Sequence, residues 1–176
     1  MSEIIKYNND TFIKFINNKE IIEKIKNLCN ELNKIYIDEK LHIIGLLDGC
    51  LPTLNEFIKH INFDYELTTI KVSSYKGMKQ GDIEFKDTLE KKIKSDNILI
   101  IDDIIDSGNT IKNIKKYILN KSKNVNLKIL SLLVKKEGIK LCDWYCFKIP
   151  NKYVIGYGMD IDNLFRNLED IYILKE

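Results

Sequence analysis

At 176 residues the chain has the length of one ordinary domain, since domains of roughly 100–200 residues are usual. Its composition, 44% hydrophobic and 31% charged, is typical of a globular protein with a sizeable core and excludes a mainly disordered chain. The formal net charge of +2 is too small to predict binding to nucleic acid or to an anionic membrane through the net field alone, although a local phosphate site is compatible with it.

The sequence predicts neither export nor membrane insertion. No apolar run reaches the roughly 18–20 residues of a membrane span, and the N-terminus lacks a basic region followed by an apolar segment. The four cysteines, Cys29, Cys50, Cys142 and Cys146, form no C-x-x-C pair, so we interpret them as reduced thiols rather than zinc ligands. We therefore expect a cytoplasmic protein.

The first part of the chain predicts a strand and a helix, followed by alternating strands and helices. Thr11 to Ile16 is extended in character, and Asn17 and Asn18 can cap a helix that ends near Tyr36, because its apolar residues recur at helical spacing. Near-continuous apolar runs, which are typical of parallel strands covered on both faces, then alternate with segments of helical period. The predicted buried strands are Leu41–Leu47, Asn97–Ile101 and Leu127–Val134, and the predicted helices are Leu54–Ile61 and Thr110–Leu119.

Two further parts of the sequence lie outside this alternation. The first predicts a long strand over Tyr65 to Tyr75, a polar loop over Lys76 to Gly81 and a return strand over Ile83 to Phe85. We therefore expect an antiparallel pair of strands outside the parallel core, whose loop forms a flexible lid. The C-terminal third has strand-like runs without a long helix, which predicts a small cap over the sheet. These runs are Tyr145–Ile149, Tyr153–Tyr157 and Ile171–Leu174.

Together the patterns predict an α/β fold with a twisted, mainly parallel sheet flanked by helices. We expect a single domain over residues 1–176. Its core would span about residues 37–140, and its cap would combine the N-terminal segment with about residues 141–176.

The residues best suited to chemistry follow the strand Asn97–Ile101, where ligands of parallel sheets bind. Asp102 and Asp103 are a paired acid suited to sugar hydroxyls or to a hydrated Mg²⁺. The segment Asp106 to Thr110 combines a glycine, hydroxyl groups and a helix start, where free backbone N–H groups favour a phosphate. The same residues would otherwise only end a strand and cap a helix, but two adjacent acids at the end of a buried strand have no local stabilising role.

This segment, Ile98 to Thr110, resembles the 5-phosphoribosyl 1-pyrophosphate motif of the type I phosphoribosyltransferases. Further runs are similar, in order and spacing, to the hypoxanthine-guanine branch of that family: Ser73–Tyr75, Leu132–Lys135, Tyr153–Asp160 and Phe165–Leu168. The resemblance extends from about Glu20 to the C-terminus and implies the type I phosphoribosyltransferase fold. It also implies a purine-salvage enzyme that transfers the phosphoribosyl group to N9 of hypoxanthine, guanine or xanthine, giving the nucleoside 5′-monophosphate and pyrophosphate.

The resemblance further implies a Mg²⁺ cofactor and a role for each matching residue. Asp106 would be the acid and base at purine N7. The ribose and 5′-phosphate would be bound by Asp102, Asp103, Asp106, Ser107, Gly108, Asn109 and Thr110. The purine would contact Lys135 through O6, the ring of Tyr153, and the backbones of Val154 and Asp160. Asp102 and Asp103 would surround Mg²⁺, and the Asp160 carboxylate would reach a second Mg²⁺ through water. Pyrophosphate would be bound by Leu47, Asp48, Gly49 and Arg166, and the lid would include Ser74 and Tyr75.

Position 48 departs from the family's pattern. The family's pyrophosphate loop often has the sequence Leu-Lys-Gly-Gly, whereas this chain has Leu47-Asp48-Gly49-Cys50. In the family, backbone amides exposed by a cis peptide bond, here Leu47–Asp48, bind much of the pyrophosphate. The loop could therefore keep its fold while the direct lysine contact is lost.

Other classes of protein fit the sequence less well. A receiver domain would need a phosphoacceptor Asp at a later strand end, which neither Leu127–Val134 nor Tyr145–Ile149 supplies, and a P-loop hydrolase would need the motif G-x-x-x-x-G-K-[ST]. A nucleic-acid-binding regulator with this fold would need an Arg-rich surface, and Arg166 is the one arginine. We expect small-molecule substrates, no nucleic-acid or membrane partner, and, from the resemblance, a homodimer or homotetramer. The ranking of the three oxopurines stays open.

Overall fold

The computed structural model describes residues 3–71, 96–121 and 125–175. The predicted lid, including Ser74, Tyr75 and the return strand Ile83–Phe85, lies outside these residues. In chain order, the elements are β1 (Ile4–Tyr7), β2 (Asp10–Ile16), α1 (Asn18–Ile35), β3 (Leu41–Leu47), α2 (Leu51–Ile58), β4 (Tyr65–Lys71), β5 (Asn97–Ile105), α3 (Asn109–Lys121), β6 (Asn126–Val134), β7 (Trp144–Lys148), β8 (Val154–Ile155) and β9 (Ile171–Leu174).

A five-stranded parallel sheet forms the centre of the molecule, in the order β4-β3-β5-β6-β7. Its strands are apolar on both faces because helices cover both. Ile43, Leu99 and Ile101 pack into one apolar cluster with α1 and α2, while Ile44 and Ile100 pack into a second cluster with α3. This is the predicted α/β fold.

Helix α1 begins where the sequence predicts, at a capping box. The Asn17 side chain accepts a hydrogen bond from the backbone N–H of Glu20, and the Glu20 carboxylate accepts one from the backbone N–H of Asn17. These two bonds satisfy N–H groups that have no partner inside the helix. The buried face, Ile21, Ile25, Cys29 and Leu32, has the predicted helical spacing.

A second, antiparallel sheet has the order β1-β2-β9-β8 and joins the N-terminal hairpin to the C-terminal strands. Phe12, Ile155 and Tyr172 form its fully buried centre. Strand β1 is an element that the sequence analysis missed. This sheet matters for the site because its strand β8 leads directly into the segment that carries Asp160 and Arg166.

Two element boundaries near the site differ from the predictions. Helix α2 starts at Leu51 rather than Leu54, because Pro52 occupies a first-turn position where its missing N–H costs nothing. Strand β5 continues beyond Ile101 to Ile105, so Asp102 and Asp103 lie within the strand and not after it. The long partner β6 explains this, because its ladder with β5 extends to Val134.

The boundary between the core and the cap also differs from the prediction, which placed it near residue 140. Strand β7, which the sequence analysis grouped with the cap, pairs in parallel with β6 and forms an edge of the central sheet. Among the described helices, none combines the length and apolar character required to cross a membrane.

Candidate active site

The predicted site residues converge at the carboxyl edge of the central sheet. A cavity of about 220 Å³ opens there, between the ends of β5 and β6 and the segment that follows β8. Six predicted residues line it: Asp103, Asp106, Lys135, Tyr153, Val154 and Asp160. Ile104, Lys152 and Met159 also line it, and the sequence analysis did not single them out. Ile104 and Met159 lie inside the motifs Ile98–Thr110 and Tyr153–Asp160, and Lys152 directly precedes the second motif.

Asp102 and Asp103 form an acidic pair on β5. Asp102 is buried, and its Oδ1 accepts a hydrogen bond of 3.0 Å from the backbone N–H of Asp103. Burial, reinforced by the neighbouring Asp103 carboxylate, raises the pKa of Asp102 well above its usual value. Burial also raises the pKa of Asp103, while the positive charge of Arg166 acts in the opposite direction. Two carboxylates in this environment are suited to a bound cation.

The predicted phosphate segment lies between β5 and α3. Asp106 and Ser107 are exposed, Gly108 follows, and α3 begins at Asn109, so Thr110 lies in its first turn. The Gly108 carbonyl accepts the hydrogen bond of Lys112 N–H at 2.9 Å, which closes the first turn. The first N–H groups of the helix therefore point toward this segment, as a phosphate site requires.

Lys135 and Asp106 contact each other on the side of the cavity formed by the ends of β5 and β6. Lys135 directly follows β6, and its Nζ donates a hydrogen bond of 2.7 Å to Asp106 Oδ2. The backbone N–H of Lys135 donates to the Ile105 carbonyl at 3.0 Å, which ties the two strand ends together. The structure thus places Lys135, the predicted hydrogen-bond donor to the purine, beside Asp106, the predicted acid and base.

Tyr153 and Asp160 line the opposite wall of the cavity, and Arg166 contacts Asp160. The Tyr153 hydroxyl donates to the Asp160 carbonyl at 2.9 Å, and burial raises the pKa of Tyr153. Arg166 Nη2 lies 2.7 Å from Asp160 Oδ1, and Arg166 Nη1 donates to the Gly158 carbonyl at 2.7 Å. The Asp160 carboxylate is therefore engaged by a cation of the chain itself, and it also accepts the backbone N–H of Asn163 at 2.8 Å.

The loop Leu47–Gly49 passes between two other parts of the site. Its Leu47–Asp48 peptide bond is cis, the geometry that the family resemblance implies. A Cβ at Gly49 would overlap the Asp103 carboxylate, and a Cβ at Gly158 would overlap the Gly49 carbonyl. Gly158 also has a φ of +96°, which favours glycine. Close packing of these backbones brings the loop against the acidic pair.

One site contact has no signal in the sequence motifs. Lys71, the last residue of β4, places its Nζ 3.3 Å from Asp48 Oδ2. Lys71 is 23 positions from Asp48 (71 − 48). The parallel register pairs Lys71 with Leu47, the residue before Asp48, and so explains the contact.

Comparison with known proteins identifies a family and several relatives. A family model described as a phosphoribosyl transferase domain matches residues 14–162. A hypoxanthine-guanine phosphoribosyltransferase from Streptococcus pneumoniae is 36% identical over 173 residues, covering 96% of each chain. One from Lactococcus lactis is 39% identical over 166 residues, covering 91% of this chain and 89% of the relative.

Solved structures give the same result. A hypoxanthine phosphoribosyltransferase from Staphylococcus aureus superimposes with a TM-score of 0.80 at 30% identity, covering 92% of this chain and 90% of that one. A hypoxanthine phosphoribosyltransferase from Trypanosoma cruzi, solved in complex with its product IMP, has a TM-score of 0.78 at 25% identity and covers 97% of both chains.

Proposed function

Because this chain belongs to the phosphoribosyltransferase family, in its hypoxanthine-guanine branch, we propose that it transfers the phosphoribosyl group of 5-phosphoribosyl 1-pyrophosphate to N9 of hypoxanthine and guanine. The products are the nucleoside 5′-monophosphates, IMP and GMP, and pyrophosphate. Xanthine is a third candidate base. The chain is thus an enzyme of purine salvage, a pentosyltransferase.

The observation that carries this proposal is the cavity at the carboxyl edge. It brings together three groups that the reaction needs. Asp103 on β5 supplies an acidic group for the sugar, and Lys135 after β6 supplies a donor for the purine O6. Tyr153 supplies an exposed aromatic ring for the face of the purine. Asp106, which lines this cavity of about 220 Å³, lies shortly before α3, so a base in the cavity is next to the segment proposed for the phosphorylated sugar.

The charges suit the reaction. When pyrophosphate leaves C1′, positive charge develops on the ribose and negative charge on the leaving group. Groups of opposite sign at those two places stabilise the transition state. Asp102 and Asp103 supply carboxylates on the ribose side, and Arg166 with the backbone of Leu47–Gly49 supplies positive character on the pyrophosphate side. The residues Ser107, Gly108, Asn109 and Thr110 bind the 5′-phosphate at the start of α3.

The residues around the purine carry the base chemistry. Asp106 exchanges a proton at N7, and the Asp106–Lys135 contact of 2.7 Å supports a location within reach of the same ring. Lys135 donates a hydrogen bond to O6. Adenine has an amino group at that position, which is a donor, so two donors would face each other and adenine would be rejected. Tyr153 stacks on the ring, and the backbones of Val154 and Asp160 face its other edge.

The acidic residues fit a Mg²⁺ ion. Mg²⁺ usually keeps several waters and takes one or two carboxylates together with substrate phosphates. Asp102 and Asp103 offer two carboxylates whose burial raises their pKa values, which is the situation that a nearby cation relieves. These two residues would hold the ion, and Asp160 would reach a second Mg²⁺ through water. When bound, it neutralises charge on pyrophosphate.

From the family resemblance alone we assign Ser74 and Tyr75, which lie outside the described residues, to a lid that would exclude water from the activated sugar. From the family resemblance we also propose a homodimer or homotetramer, which light scattering on the purified protein would test.

We propose a cytoplasmic location for the protein. The free thiols Cys29, Cys50, Cys142 and Cys146 support it, since such thiols are common in reducing compartments.

The test is direct. The purified protein is given 5-phosphoribosyl 1-pyrophosphate, Mg²⁺ and one base at a time, namely hypoxanthine, guanine, xanthine or adenine, and nucleotide formation is followed by absorbance. We expect turnover of hypoxanthine and guanine and none of adenine. A folded protein that binds the phosphorylated sugar and turns over no base would contradict the proposal.

A further inference from the structure

The pyrophosphate loop carries a carboxylate where the resemblance predicts a lysine. Asp48 is 39% exposed and adds negative charge to the loop Leu47–Gly49, which we place against pyrophosphate. Pyrophosphate is itself a polyanion, so an uncompensated Asp48 would oppose its binding. The loop therefore needs a cation from elsewhere in the chain.

The neighbouring strand supplies one. Strands β3 and β4 are parallel, so both end at the carboxyl edge, and Lys71 is the register partner of Leu47. Lys71 Nζ lies 3.3 Å from Asp48 Oδ2. An ammonium group has three donors, so this contact leaves donors for an anion at the same loop. The Lys71 side chain is 72% exposed, and its ammonium is accessible to a ligand from solvent.

The Lys71–Asp48 pair lies beside the reacting groups. The residue after Asp48 is Gly49, which packs so closely against the Asp103 carboxylate that a Cβ there would overlap it. On the other side, the Gly49 carbonyl packs against Gly158, whose own carbonyl accepts a hydrogen bond from Arg166. Lys71 therefore contacts the loop directly, and Arg166 contacts a residue that packs against it.

We propose that Lys71 binds the pyrophosphate group of 5-phosphoribosyl 1-pyrophosphate and of the released product, and that Asp48 is a positioning residue that holds the Lys71 ammonium over the loop. This inference rests on the proposed function and adds a binding residue to it. The charge that the family pattern places on the loop itself is supplied here by the adjacent strand.

The same two strands provide a matched control. Lys40, directly before β3, places its Nζ 2.7 Å from Glu66 Oε1 on β4, and both side chains are exposed. This pair has the same chemistry and joins the same strands, but it lies at the amino edge, away from the site. The variant Lys40→Met therefore removes an equivalent surface charge without approaching the substrates.

The experiment compares Lys71→Met, Lys71→Arg and Lys40→Met with the unmodified enzyme. We expect Lys71→Met to raise the KM for 5-phosphoribosyl 1-pyrophosphate and the inhibition constant of pyrophosphate by about tenfold, which is the loss of one charge-assisted hydrogen bond. The KM for hypoxanthine and the Tm should stay unchanged. Lys71→Arg should keep most of the affinity, and Lys40→Met should resemble the unmodified enzyme.

Asp48 is tested by a double-mutant cycle. Asp48→Asn should raise the same two constants by less than Lys71→Met does, and it should have no further effect when Lys71 is already Met. The inference would be overturned if Lys71→Met raised the KM for 5-phosphoribosyl 1-pyrophosphate, or the inhibition constant of pyrophosphate, by no more than Lys40→Met does. So would an Asp48→Asn variant that binds pyrophosphate more tightly in both backgrounds, because Asp48 would then only repel the ligand. An unmodified enzyme without turnover contradicts the proposed function instead, so the two failures are distinguishable.

Discussion

Replacing Asp106 by asparagine removes a proton acceptor without changing the size of the side chain. The Lys135 Nζ that now donates to Asp106 Oδ2 at 2.7 Å can donate to the amide oxygen of asparagine, so the lysine keeps a partner. The amide cannot exchange a proton at purine N7. We therefore expect kcat to fall by about a hundredfold or more, the usual contribution of a general acid or base. A hundredfold loss corresponds to about 2.7 kcal/mol of transition-state stabilisation.

The structure also limits the effect of this substitution on folding. Asp106 is 61% exposed and its ion pair with Lys135 lies at the mouth of the cavity. Such a pair contributes about 0–1 kcal/mol to the free energy of unfolding. In a domain of this size that is a change in Tm of at most about 2–4 °C. A loss of turnover in Asp106→Asn would therefore report on chemistry and not on unfolding.

The assay measures nucleotide formation at saturating 5-phosphoribosyl 1-pyrophosphate and hypoxanthine, with Tm measured in parallel. Asp143→Asn is the matched control, because Asp143 also pairs with a lysine, Lys128, at 2.9 Å, away from the cavity. We expect the control to keep its kcat. If Asp106→Asn kept an unchanged kcat, the proton-transfer role would be refuted. A fall in kcat in both variants would trace the effect to a general loss of surface charge.

Three other predictions concern the metal, the loop packing and the fold. Chelating divalent cations with EDTA should stop nucleotide formation and added Mg²⁺ should restore it, so undiminished activity in EDTA would argue against the cofactor. Gly158→Ala should lower the free energy of unfolding by about 1–3 kcal/mol, because alanine disfavours a positive φ, and should impair turnover because its Cβ overlaps the loop. Denaturant unfolding and the activity assay measure both effects. Asn17→Ala should cost about 1 kcal/mol through the lost helix cap, whereas the exposed mid-helix variant Asn27→Ala should cost nothing. Equal Tm values for these two variants would show that the cap contributes little.

The elements that the sequence predicted best are those fixed by local signals. Helix α1 has a capping box and a regular apolar stripe, and it begins and ends within a residue of the predicted positions. Strand β3 matches at both ends, because a run of apolar residues is bounded on each side by polar ones. Strand β5 was predicted to end too early, since its last residues are held by their partners in β6 and not by their own sequence.

Within the site, the motifs could be predicted from the sequence, but the contacts between them could not. The segment from Asp102 to Thr110 is continuous in sequence, so its chemistry could be predicted together. The contact of Gly49 with Asp103, and that of Gly158 with Gly49, join residues more than 50 positions apart. No periodicity encodes such contacts. They follow from the order of the strands in the sheet and from the return of the chain after β8.

The ion pairs at the site link these observations. Asp106 pairs with Lys135, Asp160 with Arg166, and Asp48 with Lys71, so each of these acids already contacts a cation of the chain. All three pairs have at least one partly exposed partner, so separating any of them costs little, about 0–1 kcal/mol. Phosphate and pyrophosphate carry several negative charges and can compete for the arginine and for Lys71, while a purine O6 can compete for Lys135. In the proposed mechanism, binding of the purine would then free the Asp106 carboxylate when N7 is beside it. These three acids thus stay paired with cations before the substrates bind, and in the proposed mechanism Asp106 is released from Lys135 only when a purine is present.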